Sequence, residues 1–226
     1  MVRDKKTKHH DARGSASSWS QPRILYLTVY NLLFAALWVS VGTSAISHAQ
    51  EGRFVLFEAV EPRTRWIQTF TLIEVVHAAV GLVKSPVSTT AIQVLTRVIQ
   101  VWMIWYSFPA STAASHAFFV LVLAWSVADA IRYFYLALNL HGKAPQVLVW
   151  LRYSMFYPLY PIGIGAEWWL MYKSIGPVGK VSPVFPPVFY FLLALYVPGA
   201  YTMFTYMVKQ RKKTLDRNQK TARTLR

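Results

Sequence analysis

Apolar residues run along this chain in long stretches, and polar residues gather between the stretches and at the two ends. A helix half in water would show a polar face at every turn. Stretches without one are read as helices set in lipid, where each backbone N–H and C=O must be paired within its own segment. Crossing ~30 Å of hydrocarbon takes ~20 helical residues. Six stretches have about that length, at 24–47, 66–83, 91–109, 117–138, 148–172 and 186–208. The pattern predicts an all-α fold, a polytopic membrane bundle of six transmembrane helices. One membrane domain covers 24–208, between a basic N-terminal tail, 1–23, expected to be disordered, and a basic C-terminal tail, 209–226, read the same way. Charged, glycine and proline residues mark the connections: Glu51 to Arg65, Lys84 to Pro86, Pro109 to Ser115, His141 to Pro145 and Lys173 to Pro187. No internal repeat is visible.

Composition sharpens this picture. With 54% apolar residues and a mean hydropathy of +0.31, the 226-residue chain is too apolar for a water-soluble globule of its size. Of the net charge of +15, the two tails carry eleven, so no folded basic face is left to bind nucleic acid. The first 23 residues are polar, without the early apolar run of a cleaved signal, so the first span is expected to stay in the mature protein. If the tails share a side, that side holds sixteen Lys and Arg against five opposite, which predicts both termini in the cytosol. Cysteine is absent, which excludes disulfides, thiolate metal sites and any cysteine nucleophile.

Ionisable residues inside spans are costly and need partners or a function. Here they are Glu74 and His77, Arg97, Asp129 and Arg132, and Arg152 and Glu167. Two arrangements of the arginines are open. Arg97, Arg132 and Arg152 fall in one leaflet, and with Lys84 and Lys143 in adjacent loops they form a basic funnel suited to a phosphate-bearing ligand with an apolar tail. Alternatively Arg132 pairs with Asp129 at i, i+3, and the others reach toward the headgroups. Glu74 and His77, three apart, read as a structural hydrogen-bonded pair. The remaining histidines, His9, His10, His48, His116 and His141, are scattered, so no metal site is expected.

The segment from Leu151 to Tyr172 is the densest in chemistry. Tyr153, Tyr157, Tyr160 and Glu167 lie near one helical stripe, interrupted by Pro158, Pro161, Gly163 and Gly165. Such a stripe is either interhelical glue or a phenol and a carboxyl, ~10 Å apart on an unbroken axis, serving one substrate.

Four segments carry a resemblance: HAAVGLVKSP from His77 to Pro86, QVLTR ending at Arg97, SVADAIRY from Ser126 to Tyr133, and LRYSMFYPLYPIGIGAE from Leu151 to Glu167. On these the chain, over roughly 24–208, resembles the very-long-chain (3R)-3-hydroxyacyl-CoA dehydratases, once called protein tyrosine phosphatase-like proteins. The resemblance implies a six-span enzyme of the endoplasmic reticulum membrane. It acts in the third step of fatty-acid elongation, a source of sphingolipid precursors, and removes water from a 3-hydroxyacyl-CoA to leave the trans-2-enoyl-CoA. It needs no cofactor and works beside other elongation enzymes. The family's catalytic pair falls on Tyr160 and Glu167, and its other polar positions on Arg97, Asp129, Arg132, Arg152 and Gly163. Asp129 stands where the family's usual residue is glutamate, one methylene longer, and Ala78 stands where its phosphatase-like motif has cysteine. Dehydration needs a base for the C2 proton and an acid for the C3 hydroxyl, and either residue can fill either role. The reading taken is Glu167 as acid and Tyr160 as base or oxyanion donor. The CoA phosphates are expected at Lys84, Lys143 and Arg152. The alternatives are a catalytically inactive multi-span scaffold of the elongation complex and a small transporter. The closing RTLR is no dilysine retrieval signal, so the compartment rests on the resemblance alone.

Overall fold

The computed structural model describes residues 21–212 and Thr214 in full and the backbone alone on to Thr224. The N-terminal tail reading and His9 and His10 fall on residues 1–20, outside the described residues. The described chain is helical throughout, with nine α-helices and one π-helical turn among the described residues. They are α1 (Gln21–Ser47), α2 (Arg53–Phe70), α3 (Ile73–Ala79), α4 (Val87–Ile99), the π turn (Gln100–Tyr106), α5 (Pro109–Ala113), α6 (His116–Leu140), α7 (Gln146–Ser154), α8 (Phe156–Val181) and α9 (Phe185–Thr224).

Four of these segments are long and apolar enough to cross a membrane: Gln21–Ser47, Val87–Tyr106, His116–Leu140 and Phe185–Lys212. The second and fifth expected spans are each divided between two helices, with different bounds. Helix α2 starts at Arg53, inside the segment read as the first connection. Its charges are settled locally, since Arg65 Nε donates to Glu61 at 2.7 Å and the guanidinium lies over the rings of Trp102 and Tyr106. Hydropathy counts such residues singly and so misplaces the helix. It ends where Thr71 Oγ1 donates to the Gln68 carbonyl at 2.6 Å and accepts from Gln68 Nε2 at 2.9 Å, a local bond that competes with the helical ladder. The break between α7 and α8 follows Ser154, four residues before Pro158, whose ring is incompatible with a helical carbonyl at that position. Beyond it α8 runs through Lys173, Gly176, Pro177, Gly179 and Lys180, all read as a connection, and only residues 182–184 separate it from α9. The basic C-terminal segment continues α9 instead of leaving it. No glycine or proline follows Gly199, and Lys, Arg and Gln are good helix formers.

The core is the seam between α1 and α6. Trp38 and Tyr133 are fully buried there, and Trp38, Trp105 and Trp125 meet edge-on or stacked at 5.3 to 6.4 Å between ring centroids. Gly42 permits the close approach of these helices, because a Cβ there would stand 3.1 Å from Ser126 Cβ. Large apolar side chains such as Leu25, Val29, Phe191 and Tyr201 point outward, as in a bundle whose surroundings are hydrocarbon.

Side chains tie the helix ends into two groups. Arg23 bonds the carbonyls of Gly81 and Leu82, Thr28 meets His141 at 2.9 Å, and Arg211 Nε donates to Ser154 Oγ at 3.3 Å. These contacts join the start of α1 to the α3–α4 turn and the end of α6, and α7 to the far part of α9. At the opposite end Arg53 donates to the Ala114 carbonyl at 2.5 Å, joining the start of α2 to the α5–α6 turn.

Candidate active site

Glu167 lies in the middle of α8, 7% exposed, with a donor on each oxygen. Trp125 Nε1 of α6 donates to Oε1 at 3.0 Å, and the Tyr196 hydroxyl of α9 donates to Oε2 at 3.2 Å. Tyr160, seven residues earlier on the same helix, is half-buried. Its hydroxyl makes a long bond of 3.4 Å to the Ala200 carbonyl, and its ring packs against Phe204. Gly163, between Tyr160 and Glu167 on their stripe, is buried, yet a Cβ built on it would meet nothing within 4 Å. Between a phenol and a carboxylate on one stripe, this glycine leaves open space where any other residue would place a methyl group.

The rest of the expected stripe is not uniform. Tyr153 packs edge-on against Tyr135, whereas Tyr157 is 41% exposed and stacks on Phe156, with Arg211 above its ring.

The arginines resolve into two groups. Arg97 meets Asp129 at 2.6 Å, and Arg132 meets the same carboxylate at 3.0 Å and Glu74 through a two-pronged contact at 2.9 and 3.1 Å. Tyr133 donates to Glu74 as well. Two acids therefore neutralise two arginines, and neither arginine stands in an open funnel. The expected Arg132–Asp129 pair is present, but Arg97 joins it instead of reaching for the headgroups. Aspartate at 129, one methylene short, still bridges both. The expected Glu74–His77 pair is not made: Glu74 takes the charged guanidinium, and His77 Nε2 instead meets the Tyr26 hydroxyl at 2.7 Å. Among the described residues no three His, Asp or Glu are grouped to hold a metal.

Arg152 stands apart, at a cleft of about 300 Å³ between the α3–α4 turn, α7 and α9. Lys84, Ser85, Thr89 and Thr90 line one side, and Arg152, Tyr153, Phe156 and Tyr206 the other. Lys143 is not part of this lining. It sits exposed on the turn between α6 and α7, so the structure brings together two of the three expected mouth residues.

A sequence profile described as protein tyrosine phosphatase-like protein, PTPLA, matches residues 68–217, most of the chain and all of the site. The chain belongs to this family. Within the PTPLA family it is similar to a probable very-long-chain (3R)-3-hydroxyacyl-CoA dehydratase of Schizosaccharomyces pombe, 38% identical over 86% of this chain and 95% of that one. It is likewise similar to the very-long-chain (3R)-3-hydroxyacyl-CoA dehydratase PASTICCINO 2A of rice, 39% identical over 87% of this chain and 95% of its relative. A human relative, very-long-chain (3R)-3-hydroxyacyl-CoA dehydratase 2, is 28% identical over 86% of this chain and 82% of its own. No solved structure matches. The phosphatase-like part of the family's description names a chemistry closed to this member, which has no cysteine to act as nucleophile.

Two residues at the PTPLA site escape a reading of the sequence. Trp125 and Tyr196 hold the Glu167 carboxylate, but tryptophan and tyrosine are so frequent in this chain that neither stands out by type. Gln100 is the one weak signal. It is an amide in an apolar run that opens the π turn three residues after Arg97, 1% exposed with neither end of its amide bonded in the protein.

Proposed function

We propose that this chain is a very-long-chain (3R)-3-hydroxyacyl-CoA dehydratase of the fatty-acid elongation cycle, a hydro-lyase of the endoplasmic reticulum membrane with both termini in the cytosol. The single observation that carries the reading is the space at Gly163, flanked on one helical stripe by the Tyr160 phenol and the Glu167 carboxylate. The relatives' names supply the substrate class. Six crossings follow if α2 with α3, and α7 with α8, each act as one span beside the four long apolar segments. In support, the start of α1 and the α3–α4 turn are tied to each other, and the start of α2 is tied to the α5–α6 turn.

In this account the acyl chain runs along α8 with C2 and C3 at Gly163. Glu167 is an acceptor at both oxygens, which fits it to receive a proton, whereas the Tyr160 hydroxyl is a donor held only by a long bond. This reverses the roles favoured from sequence. The C2–H bond breaks and its proton passes to Glu167. The C2=C3 bond forms, and the C3–O bond breaks as the Tyr160 proton joins the departing hydroxide to give water. The proton then returns from the carboxyl to the phenolate before the next turnover. The site requires no cofactor for these steps.

The nucleotide end of CoA is placed in the cleft of Lys84 and Arg152, with the aromatic sides of Tyr153 and Tyr206 available to its base. Arg152 stands near the end of α7, and Tyr160 and Glu167 follow on α8, ~10 Å apart along its axis, an order suited to a nucleotide in the cleft and a pantetheine arm running on to α8. Lys84→Glu is expected to raise KM for the CoA ester severalfold with little change in kcat, and added salt is expected to weaken the wild type in the same way. Initial-rate kinetics at two ionic strengths check both.

Space at Gly163 makes a second expectation. Gly163→Ala fits without contact, whereas Gly163→Leu fills the room taken by the acyl chain. The alanine variant is expected to keep its thermal midpoint and the leucine variant to lose at least tenfold in kcat/KM, read by thermal melting and a coupled assay in parallel. The function itself is tested by offering a purified (3R)-3-hydroxyacyl-CoA to the purified protein in lipid nanodiscs. Formation of the trans-2-enoyl-CoA supports the enzyme, and binding without turnover supports the inactive scaffold.

A further inference from the structure

We propose that Trp125 and Tyr196 are positioning residues for the dehydration, a two-sided clamp that fixes the Glu167 carboxylate in orientation and couples it to Arg97. The inference rests on the dehydratase reading and adds to it residues that no resemblance supplies. The indole N–H can only donate, so Oε1 is tied to one direction by the 3.0 Å bond from Trp125, while the Tyr196 hydroxyl at 3.2 Å leaves Oε2 as the oxygen that can exchange a proton. Two bonds from two different helices remove the rotation that a lone glutamate on α8 would keep, and a proton acceptor must be held within hydrogen-bond reach of the atom it serves.

The other faces of Trp125 are occupied too. The Arg97 guanidinium lies 4.2 Å from its ring centroid, Trp105 stacks at 5.3 Å, and Trp38 meets it edge-on at 6.4 Å. Arg97 is itself fixed by Asp129 at 2.6 Å. The indole therefore joins the buried ion cluster to the carboxylate through one rigid plane. A cation on one face of an indole draws density from the ring and makes its N–H a better donor. Among the described residues, the titratable and charged groups around Glu167 are Arg97 from α4, Tyr196 from α9 and Tyr160 on its own helix.

The test compares wild type, Trp125→Phe and Tyr196→Phe in nanodiscs, with kcat, KM and the pH–rate profile measured for each. Trp125→Phe keeps an aromatic face toward Arg97 and removes the N–H, and Tyr196→Phe removes one oxygen from a ring that otherwise stays in place. Each is expected to lower kcat by about 10- to 100-fold, the loss of one hydrogen bond to a charged group, with KM within about twofold. Each is also expected to move the limb of the profile carried by Glu167 to higher pH by about one unit, since a donor to the carboxylate is gone. Unchanged kcat and an unmoved profile in both variants overturn the clamp, as does a parallel loss of kcat, KM and thermal midpoint with the profile unmoved, which marks packing alone. If Trp125→Phe does not fold, Tyr196→Phe decides by the same criteria. An inert wild type sinks the dehydratase reading and the clamp with it, whereas an active wild type with unaffected variants sinks only the clamp.

Discussion

Glu167→Gln and Tyr160→Phe are each expected to lower kcat by about 10²- to 10⁴-fold while leaving the protein folded and KM for the CoA ester nearly unchanged. The amide keeps the size of the carboxyl, accepts from the Trp125 N–H through its one oxygen and turns its NH2 toward the Tyr196 hydroxyl oxygen, but it has no basic site for the C2 proton. The phenylalanine keeps the ring that packs on Phe204 and removes the proton destined for the departing hydroxide. Neither change alters the cleft of Lys84 and Arg152 or the path of the acyl chain, so binding is left in place. The two effects are not expected to add. Once either group is gone the concerted movement of two protons is lost, and the double variant falls little below the worse single one. Steady-state kinetics on the three variants, with thermal melts run beside them, checks the expectation.

Asp129→Ala has the other large effect, and it falls first on stability. Asp129 is buried and bridges Arg97 and Arg132 at 2.6 and 3.0 Å, so its removal leaves Arg97 with no acid partner and Arg132 with Glu74 alone. Breaking a buried pair from one side costs about 3–5 kcal/mol, because the remaining charge stays unsatisfied. Asp129→Glu restores the charge with a longer reach and is expected to recover most of the loss. Chemical or thermal unfolding in a fixed detergent, with wild type and both variants side by side, gives the comparison. Because Arg97 rests on Trp125, the alanine variant is also expected to lose activity beyond what its folded fraction explains.

The difference between these two predictions reflects how the site could be read. Spacing could put Tyr160 and Glu167 on one stripe, since their register on a helix follows from 3.6 residues per turn, but only the family resemblance singled them out as a pair. Arg132 with Asp129 was legible for the same reason, as neighbours on one helix. Partners on different helices were not. Hydropathy and spacing describe one helix at a time, so Arg97 could be assigned to the headgroups when its acid lies on α6, and Glu74 to His77 when its guanidinium lies there too.

The helix bounds went astray for a related reason. Glu61 and Arg65 count as two charges in a sequence window but as one neutral pair once α2 forms, so the helix begins well before the apolar run does. The prolines are an uneven guide. Pro62 and Pro177 stand inside helices that continue past them, whereas Pro158 coincides with a real break between α7 and α8. Whether a proline ends a helix depends on what becomes of the carbonyl four residues back, and that is a matter of tertiary surroundings.

Placing the substrate is the most direct test of the whole account. A cryo-EM structure of the protein in nanodiscs with an unreactive 3-hydroxyacyl-CoA analogue is expected to show C2 and C3 beside Gly163, with Glu167 on the C2 side, Tyr160 at the hydroxyl and the nucleotide at Lys84 and Arg152. An acyl chain lying elsewhere, with either the phenol or the carboxylate turned away from those two carbons, contradicts it.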